Sequence, residues 1–286
     1  MPLILRNKEF RFDRTLIMGI INVTPDSFSD GGLFKNSDKA VKKAIDLVKD
    51  GADIIDIGGE SARPGALPVE KEEELNRVIP VIKKFREIDN ETPISIDTYK
   101  SDIAEQAILN GADIINDISG GTFDENIIRI AAKHKSVYIL MHMQGKPLNM
   151  QQNPVYSEKG VIFDIKEFFY NRIKMLEYMG IQKDKIVLDP GIGFGKTLND
   201  NIEILNNLSE FKLFDLPVLV GTSRKTFIGN ILNKPPGDRL YGTIASVVLA
   251  IINGASIIRV HDVKEVKDAV NVIDKILQNK RFVRIN

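Results

Sequence analysis

The feature that most limits what this chain can fold into is a unit that recurs along its whole length. Short apolar runs, rich in β-branched residues, alternate with stretches of helical spacing. The runs are "LIMGIINVT" (16–24), "DIIDIGG" (53–59), "PISIDT" (93–98), "DIINDIS" (113–119), "SVYILMH" (136–142), "KIVLDPG" (185–191), "PVLVGTS" (217–223) and "SIIRVHD" (256–262). They are continuously apolar, as strands covered on both faces are, rather than alternating. Helix signals fill the intervals. Ser37 reads as an N-cap, with Val41, Ala44, Ile45 and Val48 on one face and Gly51 at the C′ position. Pro68 and Glu70 open a helix reaching about Arg86, with Pro80 an expected kink. "SDIAEQAILNG" repeats the cap-to-glycine form, and five further helical stretches complete eight.

Eight strands alternating with eight helices predict an α/β fold of the (β/α)8 TIM-barrel type, in one domain over 1–286. A doubly wound open sheet is the alternative. Residues 3–13, "LILRNKEFRFD", predict a short N-terminal hairpin at the barrel's bottom.

Three units are near copies: "GADIIDIGG" from Gly51, "GADIIND" from Gly111 and "GASIIRVHD" from Gly254. Gly-Ala ends a helix and turns the chain, and Ile-Ile is strand core. The next polar residue differs: Asp56, Asn116 and Arg259. It falls at the strand's carboxyl end, where barrel enzymes place their chemistry.

Composition removes several alternatives. Lys+Arg and Asp+Glu are both 39, so no basic field exists to hold a nucleic acid. Cysteine is absent, which excludes disulfides and thiolate metal sites and is compatible with a reducing compartment. "MPLILRNKEF" lacks the long apolar region of a signal peptide, and "IASVVLAII" (244–252) is about half of a membrane span. A cytoplasmic protein with no membrane partner is expected.

Every predicted strand ends in a polar group: Asn22, Asp56, Asp97, Asn116 with Asp117, His142, Asp189, Ser223 with Lys225, and Arg259 with His261. Rim polarity alone accounts for any one of these. All eight together point to a site. The signs separate: strands 2 to 6 end mostly in carboxylates and carboxamides, while the last two bring Ser223, Arg224, Lys225, Arg259 and His261. Barrels often bind phosphate at the last two loops, and Arg259 offers a fork to it. Asp97, Asn116 and Asp189 suit the amidine-like edge of a pterin or guanine, although structural carboxylates capping the next helix are the alternative, most of all for Asp97. "NVTPDSFSDGG" (22–32) and "GESARPG" (59–65) are loops that could close over a substrate or be plain surface turns. "DPGIGFGKT" (189–197) mimics the end of a phosphate-binding loop, but Pro190 stands where its first glycine belongs. None of the three histidines has zinc spacing. A hard cation would use oxygen ligands, such as Asn22 with a substrate phosphate, as magnesium usually does.

In order and across nearly the whole chain, "NVTPDSFSDGG", "GADIIDIGGESARPG", "ISIDT", "GADIINDISGG", "DPGIGFGKT", "GTSRK" and "RVHD" resemble the dihydropteroate synthase family. The resemblance implies a homodimeric TIM barrel of the folate pathway and a target of sulfonamides. It implies a transferase that joins (7,8-dihydropterin-6-yl)methyl diphosphate to 4-aminobenzoate, with Mg2+ as cofactor. It further implies that Asp97, Asn116 and Asp189 bind the pterin edge with Lys225 beside the ring. Met141 and Phe194 would be its walls, and Gly221 part of its floor. Arg259, His261 and Arg63 would clamp diphosphate, and Asn22 would hold magnesium. Ser223 and the first two loops, with Phe28 and Pro64, would form the aminobenzoate site. Asp26, on the first loop, is expected to face the electron-poor methylene during transfer. The chain departs from the family in having Ala62 where threonine is usual. A pterin-binding methyltransferase and a non-catalytic pterin-binding paralogue are the rival readings.

Overall fold

The structure, a computed structural model, describes residues 2–6, 8–24 and 33–283. A hairpin of β1 (Leu3–Leu5) and β2 (Lys8–Phe10) leads into eight parallel strands: β3 (Leu16–Asn22), β4 (Ile54–Gly58), β5 (Ile94–Asp97), β6 (Ile114–Asp117), β7 (Val137–Met141), β8 (Ile186–Asp189), β9 (Leu219–Val220) and β10 (Ile257–Val260). Their order is β8-β7-β6-β5-β4-β3-β10-β9. A parallel bridge from Leu188 to Val218, and a bond from Leu188 N to Pro217 O at 2.9 Å, join the two ends into a barrel. Around it lie α1 (Leu33–Lys49), α2 (Lys71–Ile88), α3 (Ser101–Leu109), α4 (Asn126–His134), α5 (Val161–Tyr178), α6 (Leu198–Asn206), α7 (Thr226–Leu232), α8 (Leu240–Ile252) and α9 (Val263–Val283). The expected TIM barrel and bottom hairpin are both present. Among the described residues, no helix is long and apolar enough to cross a membrane.

The period of two along a strand sorts its side chains between two cores. Ile17, Ile55, Ile115, Leu188 and Ile258 point outward and pack against helix residues such as Leu47, Val81 and Val263. Leu16, Met18, Ile54, Ile114, Val137, Val187, Leu219 and Ile257 point inward and form a separate apolar layer, capped by Leu3 and Leu5 of the hairpin. That layer fills the lower half of the barrel, so the interior is closed at the bottom.

The repeated Gly-Ala turns are built alike. Gly51, Gly111 and Gly254 have φ of +103°, +111° and +114°, a region that favours glycine. In each case the following alanine N–H donates back to the helix, Ala52 to Leu47 O, Ala112 to Ala107 O and Ala255 to Ala250 O. The next residue then fastens the start of the neighbouring strand. Asp53 accepts Ile17 N at 2.9 Å, Asp113 accepts Ile94 N at 2.9 Å, and Ser256 Oγ accepts Val218 N at 3.5 Å.

The structure corrects some local expectations. Ser37 is not an N-cap: α1 begins at Leu33, and Ser37 is a buried residue inside it that accepts a bond from Lys84 Nζ. Helix α2 starts later than Pro68, at Lys71, with Glu70 at its N-cap. Ser101 lies one residue inside α3, and its backbone N–H is capped by Asp124 Oδ2 rather than by its own side chain. The expected sixth helix is split into α6 and a 3-10 turn over Leu208–Phe214.

Candidate active site

The differing residues of the three repeats meet inside the barrel mouth. Each stands two places beyond an inward-facing isoleucine, Ile54, Ile114 or Ile257, so it faces the same interior one layer higher. Arg259 Nε donates to Asp56 Oδ2 at 2.6 Å, and Asn116 Nδ2 donates to the same oxygen at 3.2 Å. Arg259 Nη2 also donates to Asp97 Oδ2 at 2.6 Å. The guanidinium is one-fifth exposed, and Asp56 is fully buried.

These contacts change the expected charge layout. Arg259 is not set apart from the acidic residues but lies between two of them. Burial by itself would favour its neutral form, yet Asp56 and Asp97 outweigh that and hold it charged. Burial pushes Asp97 up to about 7, with Arg259 opposing the shift and Asp56 adding to it.

Asp189, Lys225 and the "DPGIGFGKT" turn form the adjacent wall. Asp189 ends β8 and pairs in register with Met141 at the end of β7. Its Oδ1 accepts Gly191 N at 2.7 Å. Gly191 sits at φ +71°, and a Cβ there would lie 2.0 Å from His142 O, so only glycine lets the two loops approach this closely. Asp189 is raised by burial, against the pull of Lys225. Burial lowers Lys225 to about 8, opposed by Asp189. Its Nζ donates to Ile192 O and stands 4.6 Å from the centre of the Phe194 ring. Met141 is buried and Phe194 half-buried. Gly221 follows β9; a Cβ on it would stand 3.7 Å from Arg259 Cβ, so its backbone lies directly beside that arginine.

The third wall carries His261 and Ser223. Ser223 Oγ accepts His261 N–H at 3.2 Å and lies 3.0 Å from His261 Nδ1. The two contacts let the Ser223 hydroxyl hold the imidazole against the backbone of its own strand. Burial, aided by Arg259 and Arg224, depresses His261 to about 3 and keeps it neutral. Arg63 adds to that depression, so its charge reaches this wall, but Arg63 and Pro64 themselves are exposed on the loop after β4. Asn22 is the half-buried last residue of β3. Asp26 and Phe28 fall outside the described residues, as does the Gly31-Gly32 pair.

The fold thus gathers Asp97, Asn116, Asp189, Lys225, Arg259 and His261 at one mouth, with Met141, Phe194, Gly221 and Ser223 around them. Sequence reasoning placed Asp56 on the polar rim but gave it no role, although the repeat pattern set it beside Asn116 and Arg259. It also gave no role to Lys196. That side chain is buried, with Nζ 3.1 Å from His142 Nδ1 and donating to Phe194 O at 3.0 Å; burial lowers it to about 7. It braces the turn beneath Phe194.

A cleft of about 660 Å3 opens at the other end, between the hairpin and α1–α2, where Lys8 pairs with Glu91 and Asp53 with Arg14. The chemistry belongs to the carboxyl ends of the strands.

Known proteins share this sequence pattern and this fold. The model of the pterin-binding enzyme family matches residues 18–261. The dihydropteroate synthase of Escherichia coli K12 is 47% identical over 93% of this chain and 94% of its own. A crystal structure of Yersinia pestis dihydropteroate synthase in a sulfonamide drug complex superposes with a TM-score of 0.91 at 44% identity, covering 97% of this chain and 100% of that one. The Xanthomonas albilineans enzyme in complex with 7,8-dihydropteroate gives 0.86 at 36% identity, covering 97% and 99%. With its motifs, its barrel and its mouth all in agreement, the chain belongs to the pterin-binding enzyme family, among the dihydropteroate synthases.

Proposed function

We propose that the barrel mouth joins (7,8-dihydropterin-6-yl)methyl diphosphate to 4-aminobenzoate, forming 7,8-dihydropteroate and releasing diphosphate. The observation that carries the assignment of residues is the Arg259 guanidinium spanning Asp56 and Asp97, beside Asp189 and Lys225. One cup holds carboxylates for a donor-rich heterocycle and cations for its anionic tail.

Asp97, Asn116 and Asp189 take the amino and ring N–H edge of the pterin. A buried carboxylate is costly unless a ligand supplies donors, and the pterin edge supplies two. Met141 and Phe194 cover the ring faces, Gly221 forms part of the floor, and Lys225 stands beside it. The bond from the pterin methylene to diphosphate oxygen breaks with its electron pair going to the diphosphate. The aminobenzoate nitrogen bonds to that carbon and loses a proton. The pterin itself feeds electrons to the methylene, so no protein nucleophile is needed. Arg259, the His261 ring and Arg63 oppose the charge growing on the departing group. Ser223, with Pro64 and Phe28, is assigned to the aminobenzoate. Asp26 is assigned to the positive charge that develops on the methylene.

The residues present fit a hard cation held jointly with substrate. Among the described residues no cluster of three His, Cys, Asp or Glu could hold a metal alone, whereas Asn22 brings a carboxamide oxygen to the end of β3. Magnesium bound by Asn22 and the diphosphate would withdraw charge from the leaving group. The chain is further proposed to pair as a homodimer through α8, where Tyr241, Leu249 and Ile252 are exposed. A reducing cytoplasm suits a sequence without cysteine.

The test is turnover. Purified protein with both substrates and magnesium releases diphosphate and 7,8-dihydropteroate in equal amounts. Pterin binding without diphosphate release would identify a non-catalytic relative instead. Light scattering of the same sample checks the dimer.

A further inference from the structure

A buried ionic network outside the residues assigned so far ties the loop carrying Arg63 to the strand carrying Asp97. The loop leaves β4 at Glu60 and ends at Val69, just before α2. Val69 N donates to Glu60 Oε2 at 2.8 Å, so one carboxylate joins the two ends of the loop. Lys100 Nζ donates to that same oxygen at 2.8 Å, to Glu74 Oε2 at 2.6 Å and to Val69 O. Tyr99 OH donates to Glu60 Oε1 at 2.9 Å, which occupies the other oxygen. Glu74 is buried, and Glu60 and Lys100 are about one-tenth exposed. Between these anchored ends the loop is exposed at Arg63, Pro64 and Gly65. Ala66 N donates to Arg63 O at 3.0 Å, so the tip is a turn that presents Arg63.

The donors come from one short segment. Asp97 ends β5 and holds Arg259; Tyr99 and Lys100 follow it directly and hold the loop's base. Burial alone would lower the lysine, and bonds to Glu60 and Glu74 outweigh it to keep the ammonium charged. An ion pair buried this deeply is poor evidence of stability, but it fixes geometry.

We propose that Lys100, with Tyr99, Glu60 and Glu74, is a positioning device for the transfer reaction. It sets the base of the 60–69 loop against the β5 end, and so holds Arg63 over the diphosphate of a substrate whose pterin rests on Asp97. This rests on the function proposed above, with Arg63 in the diphosphate clamp. None of the four need touch the reacting atoms; they act through Arg63.

The experiment compares Lys100→Met, Lys100→Arg and Tyr99→Phe. A double variant, Lys100→Met/Glu74→Gln, is added because Lys100→Met alone strands two buried carboxylates and can unfold the chain. In the folded variants lacking the ammonium, KM for pterin diphosphate rises about ten- to a hundredfold, as misplacement of a clamp does. Calorimetric affinity for free pterin stays within about twofold, and Lys100→Arg recovers much of the loss, because the arginine keeps the charge and the donors. Adding Arg63→Ala then costs little more, since the two residues act as one unit. Hydrogen exchange of the peptide spanning 60–70 quickens in the same variants, a readout that needs no turnover. Unchanged KM in a folded variant, equal loss of free pterin, losses additive with Arg63→Ala, or unchanged exchange would each overturn the proposal. Absence of turnover in the unaltered chain, with exchange still responding to Lys100→Met, would instead reject the proposed function.

Discussion

The two ends of the barrel are made from the same repeated words and have opposite tasks. At the bottom, "GAD", "GAD" and "GAS" perform one job three times: a left-handed glycine, an alanine returning a bond to its helix, and a polar side chain fastening the adjacent strand. At the top, the same units diverge to Asp56, Asn116 and Arg259, which bond to one another. The lower end repeats because each copy solves its problem alone. The upper end differs because its three residues form one mixed cluster, and three identical charges there would repel. Stability and chemistry are thus separated along each strand by three residues, or about 10 Å of rise.

The separation can be broken most visibly on β10. Arg259→Ala should lower turnover by about two to three orders of magnitude, as loss of a charge-stabilising donor does. Diphosphate-bearing substrate should suffer more than free pterin; equal calorimetric losses would remove Arg259 from the clamp. Two residues earlier, Ile257→Ala should cost about 2–4 kcal/mol in urea unfolding while turnover per folded molecule holds. If that turnover collapses instead, the ends are not independent.

The acidity of Asp97 offers a finer probe. Its pKa stands at about 7, and the protonated acid cannot accept two donors. Pterin affinity should therefore fall as pH falls through about 7, by roughly tenfold from pH 7.5 to 6. Asp97→Asn should bind weakly throughout and lose that slope; a slope that survives assigns the titration elsewhere. The smallest effect belongs to the bottom: Ser256→Ala gives up one long bond of 3.5 Å and should cost below about 1 kcal/mol with activity intact. Asp113→Asn should cost more, because Asp113 also pairs with Arg6 and Arg86.

The barrel was legible in the sequence because strands covered on both faces leave unbroken apolar runs, and glycines mark where helices stop. The identity of most mouth residues was legible for a related reason: they close those runs. What could not be read were partnerships between distant positions. Arg259 and Asp56 lie 203 residues apart, and Arg259 and Asp97 lie 162 apart. No local pattern told that the arginine would lie between carboxylates instead of apart from them. Lys100 carried no local signal, since its partners Glu60 and Glu74 come from other elements. Ser37 misled for the opposite reason: a good capping residue is also a small polar one that a helix can bury beside a lysine.

The hairpin's leucines deserve a last consequence. Leu3 and Leu5 stop the lower end of the barrel, so everything reaching the carboxylates must pass the upper rim. A vessel with one opening imposes a sequence on its traffic. On the proposed assignment, a heterocycle seated on Asp97 and Asp189 has to enter before an amine placed above it, and the joined product has to back out before another heterocycle can descend.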